Sequence, residues 1–251
     1  RGAMEAPRRL LAVVPGAPPV RTWGAAIDIG TTTVAVYLGD LATSRLIDQA
    51  SAYNGQIACG EDVISRIMYG RRPERRLELQ ERVVQTINGL LDRLLERQGG
   101  ATDDVKVSVV AGNTTMTHLF LGLQADFIRL EPYVPAAAWF SPQPAARLGL
   151  HLHREALVDC LPAVGAYVGG DITAGVLRAG FHQEDPVTLF LDVGTNGEMV
   201  LGNSEWLLTC ACSAGPAFEG AGVASGMRAV DGAIEEVWID PHTFEPTVST
   251  L

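Results

Sequence analysis

The first pattern of hydrophobic and polar positions along the chain is typical of two β-strands joined by a short turn. From Gly24 the sequence runs through small and apolar residues to Asp28-Ile29-Gly30, and residues 31–37 are rich in β-branched side chains. Such residues favour extended backbone, and glycine favours a tight connection. We therefore predict two strands joined at Gly30, a β-hairpin with an acidic residue near its tip.

Helical periodicity begins after a third predicted strand at residues 45–51. Apolar residues recur at helical spacing in residues 61–69 and 74–98. Residues 105–111 (VKVSVVA) are mostly apolar and predict a short buried strand. Asn113, which follows it, is a typical N-cap residue and predicts a helix that extends through Leu121.

The hairpin pattern returns in the second half of the chain. Residues 132–144 are rich in proline and predict an irregular loop, and Gly169-Gly170-Asp171 predicts the start of a helix to about residue 179. Residues 187–193 then form an apolar strand, and residues 198–201 begin the return strand. We expect a linker at 1–23, a first lobe at 24–185 and the start of a second, truncated lobe at 186–251.

The motif Asp-x-Gly-Thr occurs at both predicted hairpins, which indicates an internal duplication. Glycine allows backbone amides to approach a phosphate closely, and the neighbouring hydroxyls can donate hydrogen bonds to it. The candidate phosphate ligands are Gly30, Thr31, Thr32, Thr33, Gly194, Thr195 and Asn196. A single motif would fit an ordinary hairpin turn, but two copies favour the phosphate site.

The aspartates of the two motifs predict a cation site. With a triphosphate between the hairpins, Asp28 and Asp192 would hold Mg²⁺ largely through its water shell. Asn113 and Thr114 stand at a helix N-terminus, where they either bind an anion or only cap the helix. His118 is expected in the core or in an interface.

Composition narrows the range of functions. The chain has 251 residues, 47% apolar content and a formal net charge of −10, which argues against a nucleic-acid partner. It lacks an apolar run long enough to span a membrane and a recognisable secretion signal, so we expect a cytoplasmic protein. We expect the four cysteines, at 59, 160, 210 and 212, to be reduced structural thiols, with a redox or cluster-binding role for the last two as the alternative.

The two hairpins and the helix between them resemble the phosphate and connect elements of the superfamily that includes actin, Hsp70 and the acetate and sugar kinases. This resemblance implies an α/β, actin-like ATPase (ribonuclease H-like) fold with duplicated β-hairpin/helix lobes. By the same comparison, the helix at residues 169–175 is the first connect element, and Asp171 orients the attacking water. The alternative role of Asp171 is a simple N-cap.

Four further segments point to one family within this superfamily. They are residues 26–33 (AIDIGTTT), 60–67 (GEDVISRI), 112–118 (GNTTMTH) and 213–220 (SAGPAFEG). Together they resemble the reductive activators of corrinoid proteins. That family hydrolyses ATP to return an inactive Co(II) corrinoid protein to Co(I), with an electron from an N-terminal [2Fe-2S] domain.

The resemblance implies ATP and Mg²⁺ as ligands and a corrinoid protein as partner, and it leaves a homodimer open. No ferredoxin-type cysteine pattern precedes residue 24, so we expect the [2Fe-2S] cluster only in a full-length protein. The adenosine-binding segment of the superfamily is also expected to lie beyond this chain. The alternatives are a small-molecule kinase of the same superfamily and a non-catalytic partner-binding domain.

Overall fold

The computed structural model describes residues 21–194, 196–212, 226–227 and 231–250. The chain divides into two compact units, one ending at Gly180 and the other beginning at Phe181. The predicted linker and lobe boundaries stay a prediction. Among the described residues, no helix combines the length and the apolar character that crossing a bilayer requires.

The first unit is built on a mixed sheet. Its described strands are β1 (Trp23–Ile29), β2 (Thr33–Asp40), β3 (Arg45–Tyr53), β4 (Val105–Gly112), β5 (Gln143–Pro144) and β6 (Leu157–Cys160). They lie in the order β3-β2-β1-β4-β6-β5. The first three strands form an antiparallel meander, whereas β4 runs parallel to both β1 and β6. The carboxyl ends of β1 and β4 therefore lie at the same edge of the sheet.

The helices of this unit are α1 (Val63–Tyr69), α2 (Pro73–Gln98), α3 (Thr114–Phe120), α4 (Ala145–Leu148) and α5 (Gly170–Ala179). The longest, α2, begins with proline in its first turn and ends at Gly99 in the left-handed conformation. Both residues suit these positions, because proline lacks the amide that is unsatisfied there and glycine tolerates positive φ. The apolar stripe of α2 is buried against β2 and β3 and forms the centre of the core.

The second unit contains two antiparallel sheets. One has the order β7 (Thr188–Val193), β8 (Gly197–Gly202) and β9 (Leu207–Cys212). The other is a hairpin of β10 (Ile234–Ile239) and β11 (Pro246–Thr250). The rings of Phe181 and Phe190 stack 6.4 Å apart within this unit.

Most predicted elements occur, but two of them start later than expected. The second strand begins at Thr33 instead of 31, because Thr31 and Thr32 belong to the turn. The helix predicted from 61 begins at Val63, because Asp62 caps it: the Asp62 carboxylate accepts the Ser65 amide at 2.7 Å. This capping box satisfies amides that the first helical turn leaves without partners.

His118 joins α3 to the proline-rich loop. The ring is fully buried, with Nδ1 2.6 Å from the Thr114 carbonyl and Nε2 accepting the Ala137 amide at 3.3 Å. These partners fit a neutral ring protonated at Nδ1, since a carbonyl can only accept and an amide can only donate. Burial lowers the pKa of His118, and the bond to Thr114 only partly opposes that effect.

We expect His118 to make the first unit sensitive to acid. A lowered pKa in the folded state means that its contribution is fully present above the unfolded pKa of about 6.5 and is lost as the pH falls through the lower, folded-state value. The free energy of unfolding, measured by urea titration between pH 7.5 and pH 5, should therefore decrease with acidification. His118→Gln should remove part of this slope.

His151→Gln is the matched control, because that ring is exposed and pairs with Asp92 at 3.0 Å. The control should keep the acid-side loss of stability. A slope that His118→Gln leaves unchanged would contradict the assignment of that loss to the buried ring.

Candidate functional site

The predicted phosphate residues of the first unit meet at one edge of its sheet. In the parallel pairing of β1 with β4, Asp28 lies beside Ala111 and Ile29 beside Gly112. The turn after β1 is therefore adjacent to the junction between β4 and α3. The side chain of Asn113 confirms this proximity, because its Nδ2 donates to Thr31 Oγ1 at 3.1 Å.

The turn at residues 30–33 is tight. The Gly30 amide donates to the Thr33 carbonyl at 2.9 Å, and a Cβ at position 30 would lie 2.7 Å from that same oxygen. Real Cβ atoms do not approach a carbonyl so closely. Glycine is therefore required here by the close approach of the backbone to itself.

The three consecutive backbone carbonyls of residues 30–32 accept hydrogen bonds from Asn54 and Arg66, which lie on the inner side of the turn. Asn54 Nδ2 donates to the Gly30 carbonyl at 2.9 Å, and the Asn54 amide donates to the Thr32 carbonyl at 2.8 Å. Between them, Arg66 Nη2 donates to the Thr31 carbonyl at 2.6 Å. The orientation of the turn is therefore held by buried side chains and not only by the β-ladder.

The amides of Thr31 and Thr32 point away from these donors. In a trans peptide the carbonyl and the following N–H point in opposite directions, so each held carbonyl directs the next amide outward. Neither of the two amides donates to an acceptor within the described part of the chain. Adjacent outward amides of this kind form a concavity that suits an anion.

The residues of the β4–α3 junction use their side chains differently. Asn113 is the N-cap of α3, with Oδ1 accepting the Met116 amide at 2.9 Å, while its Nδ2 bonds Thr31. Thr114 is buried, and its hydroxyl donates to the Gly165 carbonyl at 2.6 Å. Asn113 therefore both caps α3 and contacts the turn at residues 30–33. The roles of Asn113 and Thr114 toward a nucleotide stay predictions.

The start of α5 packs directly against this junction. A Cβ at Gly169 would lie 2.5 Å from the Asn113 Cα, so only glycine allows the two segments to approach so closely. Gly169, not Asp171, is the N-cap residue of α5. Asp171 stands in the first helical turn, half-buried, with Oδ1 accepting the Ile172 amide at 2.8 Å. The alternative of Asp171 as a simple N-cap is therefore not what the structure shows.

Acidic and amide groups thus lie along one edge of the first unit. Asp28 is exposed at the end of β1, and Asp171 lies on the helix whose start touches Asn113. Carboxylates can bind Mg²⁺ or orient water, while outward amides can bind phosphate oxygens. The first unit therefore provides the groups needed to bind a magnesium–phosphate ligand.

The buried guanidinium of Arg66 lies immediately behind the turn. It is fully buried, and its donors contact the Thr31 carbonyl (2.6 Å), the Gly60 carbonyl (2.8 Å), Met116 Sδ (3.2 Å) and Gln56 Oε1 (3.5 Å). Burial lowers the pKa of Arg66 to about 10, which leaves the group charged at neutral pH. The turn therefore has a positive charge on its inner side.

The second hairpin carries the other predicted residues. Asp192 is exposed on β7 and lies directly opposite Glu198 of β8, while the Gly194 amide donates to the Asn196 carbonyl at 3.0 Å in the turn between them. Thr195 and the segment 213–220 lie outside the described residues. The joint binding of one ligand by the two hairpins stays a prediction.

Sequence reasoning did not select Asn54, Arg66 or Glu198 as site residues. The segment that contains Arg66, residues 60–67, enters the sequence analysis only through the family resemblance. A charged residue among the apolar positions of the helix predicted at 61–69 was the available signal. Burial of a charged side chain is uncommon unless it is paired, but a sequence alone does not show that the side chain is buried.

The cysteines differ in environment. Cys160 is buried, and burial raises the pKa of its thiol to about 12, which makes it an unreactive core residue. Cys210 and Cys212 are exposed on β9, and all four cysteines are free. The alternative of a redox or cluster-binding role for Cys210 and Cys212 stays a prediction.

Comparison with known proteins identifies relatives along nearly the whole chain. Residues 23–184 match the family described as the RACo middle region, and residues 186–251 match the C-terminal domain of RACo, the ASKHA domain. The ASKHA group comprises actin, Hsp70 and the acetate and sugar kinases. The predicted actin-like fold class is therefore confirmed.

Individual relatives agree with the family match. A solved structure of a reductive activator for corrinoid, iron-sulfur protein is 49% identical, with a TM-score of 0.87 over 96% of this chain and 38% of that one. The corrinoid activation enzyme RamQ of Eubacterium limosum is 37% identical over 86% of this chain and 36% of its own length. A methylated amine-specific corrinoid protein reductase of Methanosarcina barkeri is 41% identical over 30% of this chain and 14% of its own.

The chain thus spans little more than a third of the length of the first two relatives. Within that span, the family models cover both units of the structure, and the resemblance predicted from the four sequence segments is confirmed. The chain belongs to the RACo family.

Proposed function

We propose that this chain is the nucleotide-binding part of a reductive activator, which uses ATP to return a Co(II) corrinoid protein to Co(I). The observation that carries the proposal is the 49% identity to a solved reductive activator over 96% of the chain. The outward amides of the turn at 30–33 support it independently, because they suit a phosphate group. A corrinoid protein is accordingly the proposed partner, while the cytoplasmic location and a homodimer stay predictions.

The proposed site for MgATP uses the polar groups already described. In the first unit, the amides of Thr31 and Thr32 and the hydroxyls of the turn would bind phosphate oxygens. Asp28 and Asp192 would bind Mg²⁺ through its water shell. Among the described residues, no group of three or more His, Cys, Asp or Glu side chains is placed to hold a metal ion. Mg²⁺ bound to phosphate needs only one or two carboxylates, so the residues present fit this ion.

Hydrolysis would require little covalent chemistry from the protein. Phosphoryl transfer depends mainly on positioning and on electrostatic stabilisation of the phosphate oxygens. Asp171 is the proposed residue that orients the attacking water and accepts its proton. Its place in the first turn of α5, next to the β4–α3 junction, puts it on the same edge of the sheet as the phosphate turn.

Bound ATP would supply free energy for an electron transfer that is otherwise uphill. The electron itself would come from the iron–sulfur cluster that the family resemblance implies for a full-length protein. The described cysteines of this chain are free thiols in separate positions, apart from the pair on β9. The proposed role of the chain is therefore to respond to nucleotide and to contact the corrinoid partner.

We expect the chain to bind MgATP saturably in a calorimetric titration. Asp28→Asn and Asp192→Asn should each weaken binding by about tenfold or more, because each removes a carboxylate from the Mg²⁺ site. Asp159→Asn is the matched control, since Asp159 is also exposed on a strand of the first unit. This control should bind MgATP as the unaltered chain does.

Saturable binding that neither Asp28→Asn nor Asp192→Asn weakens would contradict the Mg²⁺ assignment. No binding by this chain, repeated with a longer protein that includes the segments of its relatives, would overturn the nucleotide site itself. Binding of a corrinoid protein without any binding of nucleotide would favour the non-catalytic alternative.

We expect Asp171→Asn to separate nucleotide binding from hydrolysis. Loss of a group that orients and deprotonates water should lower the hydrolysis rate by about 100-fold or more, while the dissociation constant for MgATP changes little. Release of inorganic phosphate measures the rate, and calorimetry measures the binding. An unchanged rate would rule out this role, and stimulation by a sugar or small acid substrate would favour the kinase alternative.

A further inference from the structure

Arg66 is a buried cation without a charged partner in its first contacts. Its acceptors within the described part of the chain are two backbone carbonyls, an amide oxygen and a thioether sulfur, all uncharged. Burial lowers the pKa of Arg66, and the electrostatic influences of Asp62 and Cys59 oppose this only in part. Asp62 is exposed and accepts the Ser65 amide. Moving a guanidinium out of water is costly, and neutral acceptors offset only part of that cost.

Within the turn, the guanidinium of Arg66 contacts one particular carbonyl. Of the three held carbonyls in the turn, the middle one, Thr31, accepts from the guanidinium, while the carbonyls on either side accept from Asn54. The peptide that contains the Thr31 carbonyl also contains the Thr32 amide, which points to the opposite, outer side. A cation on the carbonyl side withdraws electron density through the peptide and makes the Thr32 N–H a stronger donor.

We propose that Arg66 is a positioning residue for phosphate binding, which fixes the turn at 30–33 with its amides outward and strengthens the Thr32 amide as a donor to the anion. This inference rests on the proposed function, since it requires that the turn bind phosphate. The bound phosphate, on the other side of the same peptide, would then provide the counter-charge that the described first contacts of Arg66 do not. No direct contact between Arg66 and the ligand is needed.

A merely structural role for Arg66 makes a different prediction. An interior hydrogen-bonding residue would affect the stability of the whole unit, and any loss of ligand binding would follow from unfolding. A positioning residue lowers the affinity for phosphate in a chain that remains folded. Inorganic triphosphate is therefore the probe, and the unfolding midpoint is measured beside it.

The test is a calorimetric titration of the unaltered chain, Arg66→Met and Arg66→Lys with inorganic triphosphate, at a temperature at which each chain is folded. Arg66→Met should weaken triphosphate binding by about tenfold or more, the range expected for a lost charged hydrogen bond. Arg66→Lys should show an intermediate loss. It keeps the charge, but a single ammonium cannot replace the planar fork that reaches the carbonyls at Gly60 and Thr31 together.

Asn88→Ala is the matched control for general destabilisation. Asn88 is buried on α2 and bonds the Gly149 carbonyl and the His151 amide, at 2.8 and 2.9 Å, so it holds another loop of the same unit. Its substitution should lower the unfolding midpoint without changing triphosphate affinity. An equal loss of affinity in Asn88→Ala and Arg66→Met would overturn the positioning role.

Other outcomes are equally decisive. A folded Arg66→Met that binds triphosphate like the unaltered chain would overturn the inference and leave the proposed nucleotide site intact. If Arg66→Met does not fold, Arg66→Lys decides alone, and full triphosphate affinity in that variant would overturn the inference. If neither the unaltered chain nor a longer protein of the same family binds triphosphate, both proposals are overturned together.

Discussion

The parallel pairing of β1 with β4 is the constraint on which the candidate site depends. It places Asp28 beside Ala111 and brings the turn after β1 next to the first residues of α3. From that adjacency follow the bond from Asn113 to Thr31 and, through Gly169, the approach of α5 to the same junction. A shift of one residue in this register would turn every side chain of β1 to the other face and separate these groups.

The turn at residues 30–33 is held by polar side-chain contacts and not only by the β-ladder. Its carbonyls at 30, 31 and 32 accept bonds from Asn54 and Arg66, which belong to a segment that follows the meander. Buried carbonyls need such partners, since an unsatisfied one costs about as much as a lost hydrogen bond. Within the part of the chain that the structure describes, the opposite amides have no internal acceptors. One set of hydrogen bonds therefore both satisfies the buried carbonyls and directs the opposite amides outward, where they suit an anion.

Local patterns were enough to predict six of the described strands (β1 to β4, β7 and β8), the long helix and the N-cap at Asn113, because periodicity and capping depend on neighbours in sequence. They failed where a distant contact decides the outcome. Thr31 and Thr32, predicted in the second strand, lie in a turn whose carbonyls accept bonds from the distant residues Asn54 and Arg66. The cap of α5 is Gly169, ahead of Asp171, at a position where only glycine fits against Asn113. Neither contact can be read from the residues next to it.

The two Asp-x-Gly-Thr hairpins are alike in sequence but not in chemistry. Asp28 lies opposite Ala35 in its hairpin, whereas Asp192 lies opposite the carboxylate of Glu198. A buried cation, Arg66, lies behind the first turn. In the proposed function both aspartates serve Mg²⁺, and this cation makes the first turn better suited to the phosphate anion. The duplicated motif therefore repeats the carboxylate while its surroundings differ between the two hairpins.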